Sequence, residues 1–138
     1  MSFVLDNSVA LAWCFEDEQT PTVLALLDRV AESGATAPML WPLEALNGLL
    51  AAERRRRLDA AKRATLAAFL RELPVRLDME TADQAWEDTA RLAEKFRLTI
   101  YDASYLELAQ RRRLPLASLD KDLRKAALSA GIEVLGQP

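Results

Sequence analysis

Residues 114–135 read LPLASLDKDLRKAALSAGIEVL. Residues 115–119 form a buried-strand pattern and residues 120–130 a helical one. After Gly131, residues 132–135 read as a second strand. Strand, helix and strand in succession is the unit of a parallel sheet, because parallel neighbours need a crossover that returns the chain to the same end. Working outward, residues 3–5 are a brief β-prone run, followed by a helical pattern over Val9, Leu11, Ala12 and Phe15. Pro21 opens a second helix carried by Val23, Leu26, Leu27 and Val30 and stopped near Gly34. Pro38 follows Thr36 and Ala37 ahead of the next helix. Helices then cover about 42–54, running into the arginines at 54–57, and 60–72, closed by Pro74. Residues 75–77 alternate as a short strand would. Residues 81–95 place Ala82, Ala85, Trp86, Thr89, Leu92 and Ala93 on one helical face, which predicts a core position for Trp86. Residues 98–101 are a short apolar link, and a helix runs from Asp102 over Tyr105, Leu106 and Ala109 to Arg111, Arg112 and Arg113. The pattern predicts an α/β sandwich with a mainly parallel sheet. No linker, repeat or low-complexity segment interrupts it, so residues 1–138 read as one domain.

Composition narrows the chemistry. Hydrophobic residues are 51% and charged residues 28% of the 138, the balance of a globular protein that can bury a core. The only cysteine is Cys14, read as a small buried hydrophobe, so neither an intrachain disulfide nor a thiolate metal cluster is available. Histidine is absent, which removes Ser-His-Asp and Cys-His catalysis and the common zinc sites. No apolar stretch approaches the ~20 residues of a membrane span. The N-terminal run has no basic region and contains Asp6, which argues against a secretory signal; a cytoplasmic setting fits best. The net charge of −3 does not mark the whole molecule as a nucleic-acid binder, although arginines are clumped at 54–57 and 111–113.

Three aspartates occupy the same kind of place. Asp6 follows Phe-Val-Leu, Asp102 follows Leu-Thr-Ile-Tyr, and Asp120 follows Leu-Ala-Ser-Leu. Each stands after an apolar run and at the start of a helix, and in open α/β sheets such positions converge outside the carboxyl ends of the strands. Glu44 lies inside an apolar helical pattern, with Asn47 one turn later. Taken singly, each aspartate reads as a helix N-cap, and Glu44 as the partner of an arginine. Capping does not explain why an intrahelical acid joins the set, so together they read as a site. Clustered carboxylates raise one another's pKa, and a divalent cation relieves that load. With oxygen donors alone the choice falls on Mg²⁺ or Mn²⁺, ions suited to phosphodiester hydrolysis.

The stretches FVLDNSVALAWCFEDE (3–18), WPLEALNGLLAAERRRRL (41–58) and LTIYDASYLELAQRRRLPLASLDKDLRKAALSAGIEVL (98–135) carry a resemblance. Their series resembles the PIN-domain ribonucleases, and among them the VapC toxins of toxin–antitoxin pairs, over most of the chain. The resemblance implies a PIN-like three-layer α/β/α sandwich and a Mg²⁺- or Mn²⁺-dependent endoribonuclease that cleaves RNA. Asp6, Glu44, Asp102 and Asp120 match the family's acids, and Ser118 matches its small hydroxyl before the last acid. Asp6 and Asp102 would hold the main metal, with Glu44 and Asp120 binding through water or a second ion. Ser118 would orient Asp120 or a water. Also implied are a homodimer and a VapB-type antitoxin that places a basic side chain in the acidic site. Operator DNA would be reached only through that antitoxin. Asn7 departs from the Ala or Thr that commonly follows the first acid.

Other features allow competing readings. Both arginine runs stand at helix C-termini, where cations meet the helix dipole, or they contact phosphates. Trp13 and Trp41 flank the segments carrying Asp6 and Glu44 and read as a protein interface. Leu24, Leu27 and Val30 fit core, dimer or antitoxin contact alike. Asn47 either supports Glu44 or is an ordinary helix amide. Ser118 and Lys121 satisfy the S-x-x-K spacing of acylating serines without the motifs that accompany it. A receiver-like module phosphorylated on Asp6 or Asp102 is the rival from another class.

Overall fold

Residues 2–137 are described by the computed structural model. Strands β1 (Val4–Leu5), β2 (Ala35–Pro38), β3 (Val75–Asp78), β4 (Leu116–Ala117) and β5 (Val134–Leu135) form one sheet in the order β3-β2-β1-β4-β5. Every pairing is parallel, with Val4 beside both Thr36 and Leu116, and Leu5 beside Ala117. The order reverses direction at β1, whose neighbours are β2 on one side and β4 on the other. That reversal opens a crevice at the carboxyl ends of β1 and β4.

Helices α1 (Asn7–Ala12), α2 (Pro21–Ser33), α3 (Trp41–Arg54) and α4 (Ala60–Glu72) pack with Phe3, Leu5, Ala35, Ala37 and Ala117 into one apolar cluster. Helices α5 (Thr81–Gln84) and α6 (Ala90–Phe96) are joined by a π-helical turn, Ala85–Thr89. They precede α7 (Ile100–Arg112) and α8 (Lys121–Ser129). Tyr105, Leu106, Leu108, Leu123 and Ala127 form a second cluster with Val4 and Leu116. Successive strand residues point to opposite faces, so Leu5 joins one cluster and Val4 the other. The result is the three-layer α/β/α sandwich. Among the described residues no helix is long and apolar enough to cross a membrane.

Several sequence expectations need correction. The segment at 35–38, whose residues predict no element, is a buried strand inside the sheet; Ala and Pro are disfavoured in strands and only Thr36 favours one, so pairing with β1 and β3 decides the conformation. Trp86 is 88% exposed and not core. The π turn accommodates one residue more than an α turn, so Trp86 no longer shares a stripe with the buried Thr89 and Ala93. Trp13 and Trp41 are each 5% exposed and belong to the core, which removes them as interface residues. The Trp13 indole N–H donates to the Val23 carbonyl at 2.7 Å. Val30 is core, Leu27 is partly buried and Leu24 is exposed. Cys14 is buried, and burial pushes its thiol up to about 11.

The arginine runs are not uniform. Arg57 folds back onto Asp17 and Glu18, at 3.1 Å to each, with its guanidinium 4.1 Å from the centre of the Phe15 ring. Arg111 lies between buried acids: Nη2 is 2.6 Å from Asp78 and Nε is 2.7 Å from Glu107, while Nη1 reaches Glu80. This network ties the end of β3 to α7. Burial alone would raise the Asp78 carboxyl, but the hydrogen bonds and charge of Arg111 outweigh it and hold the group below its ordinary range.

Candidate functional site

Asp6 is the first residue after β1 and caps α1. It is 4% exposed, yet one of its oxygens is crowded with donors. Oδ2 accepts from the Ser8 hydroxyl at 2.5 Å, the Ser118 hydroxyl at 2.9 Å and the Ser8 N–H at 3.4 Å. Those hydroxyls are themselves fixed by the next turn of the crevice. Ser8 Oγ accepts from the Leu119 N–H at 2.8 Å, and Ser118 Oγ accepts from the Asp120 N–H at 3.1 Å. Two serines thus stitch the β1–α1 turn to the β4–α8 turn through Asp6. No donor among the described residues is bonded to Oδ1.

Glu44 projects from the first turn of α3, where it receives the phenolic hydroxyl of Tyr105 at 2.6 Å. Asp102 lies in the first turn of α7. The run before it is not a strand: Thr99 caps the helix by accepting from the Asp102 N–H at 3.1 Å, and Ile100 and Tyr101 are its exposed first residues. Asp120 stands at the N-cap position of α8, but its side chain makes no capping bond. Capping therefore accounts for a contact of Asp6 alone.

Electrostatics link these groups. Burial raises the Asp6 carboxyl above its ordinary value, against the bonds from Ser8 and Ser118, and the charge of Asp120 adds to the rise. Burial also raises Glu44, opposed by the Tyr105 bond and reinforced by Asp6. Asp102 is pushed up to about 6, first by burial and then by the charges of Asp6, Asp120, Glu44 and Asp122. None of the ion pairs among the described residues involves Asp6, Glu44, Asp102 or Asp120. The fold thus brings the acids into mutual repulsion with no cation of its own to offset it.

That imbalance is what a bound cation would relieve. An oxygen-only donor set suits a hard divalent ion, and Asp6 Oδ1 is free to ligate one. Asn7 Oδ1, next in the chain, is a further buried acceptor without a donor. As the side chains stand, no three acidic or cysteine groups among the described residues are close enough to hold a metal. The residues fit the ion in kind and charge, and their side chains must draw together to bind it.

Ser118 is fully buried and bonds Asp6 and the Asp120 backbone rather than the Asp120 side chain. With Lys121 exposed, the S-x-x-K pair has no shape of an acylating site. Asn47 is exposed, and Tyr105 takes the supporting role considered for it. Ser8 and Tyr105 were missed in the sequence. Both carried a signal, Ser8 as the second residue of a helix opened by an aspartate and Tyr105 as the residue three after Asp102 on one helical face. A groove of about 830 Å³ lies away from the acids between α3, α4 and β3, with Trp41, Ala67, Leu70 and Leu77 in its walls.

A family model described as PIN domain matches residues 3–128. Among solved structures, FitAcB from Neisseria gonorrhoeae is 17% identical, with 99% of this chain and 97% of that one covered at a TM-score of 0.67. VapBC2 from Rickettsia felis, bound to a DNA fragment from its promoter, is 13% identical with full coverage of both chains and a TM-score of 0.66. The sarcin–ricin loop cleaving toxin VapC20 from Mycobacterium tuberculosis is 20% identical, with 90% and 94% covered at 0.59. At such identities the likeness is one of fold. No curated protein matches the chain.

Proposed function

Because this chain belongs to the PIN-domain family, we propose that it is a VapC-type toxin: a divalent-metal-dependent endoribonuclease restrained by a VapB-type antitoxin. One observation carries the reading. Four carboxylates from the β1–α1 turn, α3, α7 and the β4–α8 turn repel one another at the carboxyl end of a parallel sheet, with no lysine or arginine among the described residues paired to them. The neighbouring toxin VapC20, which cleaves the sarcin–ricin loop, and the toxin–antitoxin pair VapBC2 support it.

Asp6 and Asp102 would hold the main Mg²⁺ or Mn²⁺, with Glu44 and Asp120 contacting it through water or a second ion. When bound, such an ion supplies Lewis acidity, neutralising phosphate charge and making water a stronger acid. The chain's own groups do the rest. Ser8 and Ser118 immobilise Asp6 so that Oδ1 stays available, and Tyr105 restrains Glu44. Without a cation the same carboxylates repel an RNA phosphate, so substrate entry and metal binding are coupled. An antitoxin that covers the acids with a basic side chain would substitute for the ion and shut the site. The protein acts as one domain over residues 1–138, in the cytoplasm and as a homodimer, and operator DNA is reached through the antitoxin.

Incubating the purified protein with total RNA, with and without Mg²⁺, and mapping the ends tests this reading. The expected result is a small set of discrete cuts that EDTA abolishes. Cuts that persist in EDTA, or none with either Mg²⁺ or Mn²⁺, would overturn it.

A further inference from the structure

Tyr105 is fully buried, with its ring in the apolar cluster of Val4, Leu108 and Leu116. Its hydroxyl nevertheless bonds a carboxylate 61 residues away in sequence. That carboxylate belongs to α3, whose apolar residues join the opposite cluster. The bond therefore joins the two helical layers across the carboxyl end of the sheet. It involves Glu44 Oε1 and leaves Oε2 without a partner among the described residues. A glutamate on a partly exposed helical turn has three rotatable side-chain bonds and little to hold it. A core-packed phenol has almost no freedom of its own, so it transmits the rigidity of the core to the acid.

Tyr105 also stands three residues after Asp102 on one face of α7. A single helix thus supplies one acid directly and restrains another from a different element. We propose that Tyr105 is the positioning residue for Glu44, holding one carboxylate oxygen so that the other is available to the divalent cation of this site. The proposal rests on the metal-dependent reading above. Tyr105 touches neither metal nor substrate and acts through Glu44.

The test is a double-mutant cycle on the full chain. Mn²⁺ binding is measured by isothermal titration calorimetry, without RNA, for wild type, Tyr105→Phe, Glu44→Ala and the double variant. Each variant is also melted in EDTA. Groups that orient metal ligands typically change affinity 10–100-fold. Tyr105→Phe is expected to weaken Mn²⁺ binding about tenfold, and to cost nothing further once Glu44 is alanine. Cleavage by Tyr105→Phe should need about tenfold more Mn²⁺ for half-maximal rate yet approach the wild-type rate at saturation. Unchanged affinity in Tyr105→Phe overturns the proposal, as does an equal loss in the Glu44→Ala background. A Tyr105→Phe chain that does not fold makes the hydroxyl a folding requirement, which overturns the positioning role too. If wild type binds no Mn²⁺, the metal-dependent reading falls as well; if wild type binds and Tyr105→Phe equals it, only the Tyr105 assignment falls.

Discussion

Replacing Asp102 by asparagine should make the metal-free protein more stable. Burial and the neighbouring acids push the Asp102 carboxyl from 3.8 up to about 6. About two pKa units correspond to about 3 kcal/mol as a ceiling. The sign follows from the raised value: the group's contribution to stability is fully present below pH 3.8 and is lost as pH rises through about 6. At pH 7.5 the ionised Asp102 therefore burdens the native state. Two effects reduce the burden. The side chain is only partly buried, so solvent screens a good part of it. The carboxylate also sits in the first turn of α7, where the helix dipole favours it by ~0.3–1 kcal/mol. The net gain for Asp102→Asn is then about 1 kcal/mol, or about 4 °C in Tm for a chain of this length. Thermal melts in EDTA at pH 7.5 and pH 4.5 provide the assay. The variant should melt higher at pH 7.5, and the gap should narrow at pH 4.5, where the native carboxyl carries the proton, and close only below pH 3.8, where the unfolded chain carries it too. Saturating Mg²⁺ should reverse the order at pH 7.5, because only wild type gains from tight ion binding. A variant that melts at or below wild type in EDTA at pH 7.5 refutes the electrostatic load, and with it the clustering of the acids.

Arg111→Met should cost about 3–5 kcal/mol in urea unfolding, because it strands Glu107 as a buried charge without its counter-ion and leaves Asp78 only the longer 3.6 Å contact with Arg112; a loss below 1 kcal/mol would mean that the network is dispensable. Ser118→Ala removes a donor from Asp6 and an acceptor from the Asp120 N–H, so unfolding should show a loss of about 1–3 kcal/mol and RNA cleavage should fall. Wild-type stability and activity in that variant would refute the serine stitch. Trp86→Ser should change stability by no more than about 0.5 kcal/mol, since the indole stands in solvent. A loss of several kcal/mol would place Trp86 in a core and contradict the π turn.

The fold was legible where side-chain pattern and backbone agreed. The strand–helix–strand signal at 114–135 corresponds to β4, α8 and β5, and the helix read at 60–72 is α4, Ala60–Glu72. It failed where tertiary context overrode local preference. Ala35–Pro38 is a strand because two neighbours pair with it, information its own residues do not hold. Trp86 was misplaced because a 3.6-residue period was carried through a π turn, and nothing in the local composition marks that turn. Trp13 and Trp41 went wrong for another reason: proximity in sequence to Asp6 and Glu44 says nothing about which way an indole points. At the site, the acids were visible because a charge inside an apolar pattern is conspicuous. The groups that hold them were not, since Tyr105 looks like any buried aromatic and Ser8 like any helix-start serine until the partner 61 or 111 residues away is known.

The central claim is that Asp6, Glu44, Asp102 and Asp120 serve one hard cation, and crystals of the protein soaked in Mn²⁺ address it most directly. An anomalous difference map should place Mn²⁺ against Asp6 Oδ1 and the Asp102 carboxylate, with Glu44 and Asp120 at or one water away from the ion. Mn²⁺ bound only at other surface carboxylates, with the crevice above β1 and β4 empty at saturating metal, would contradict the account.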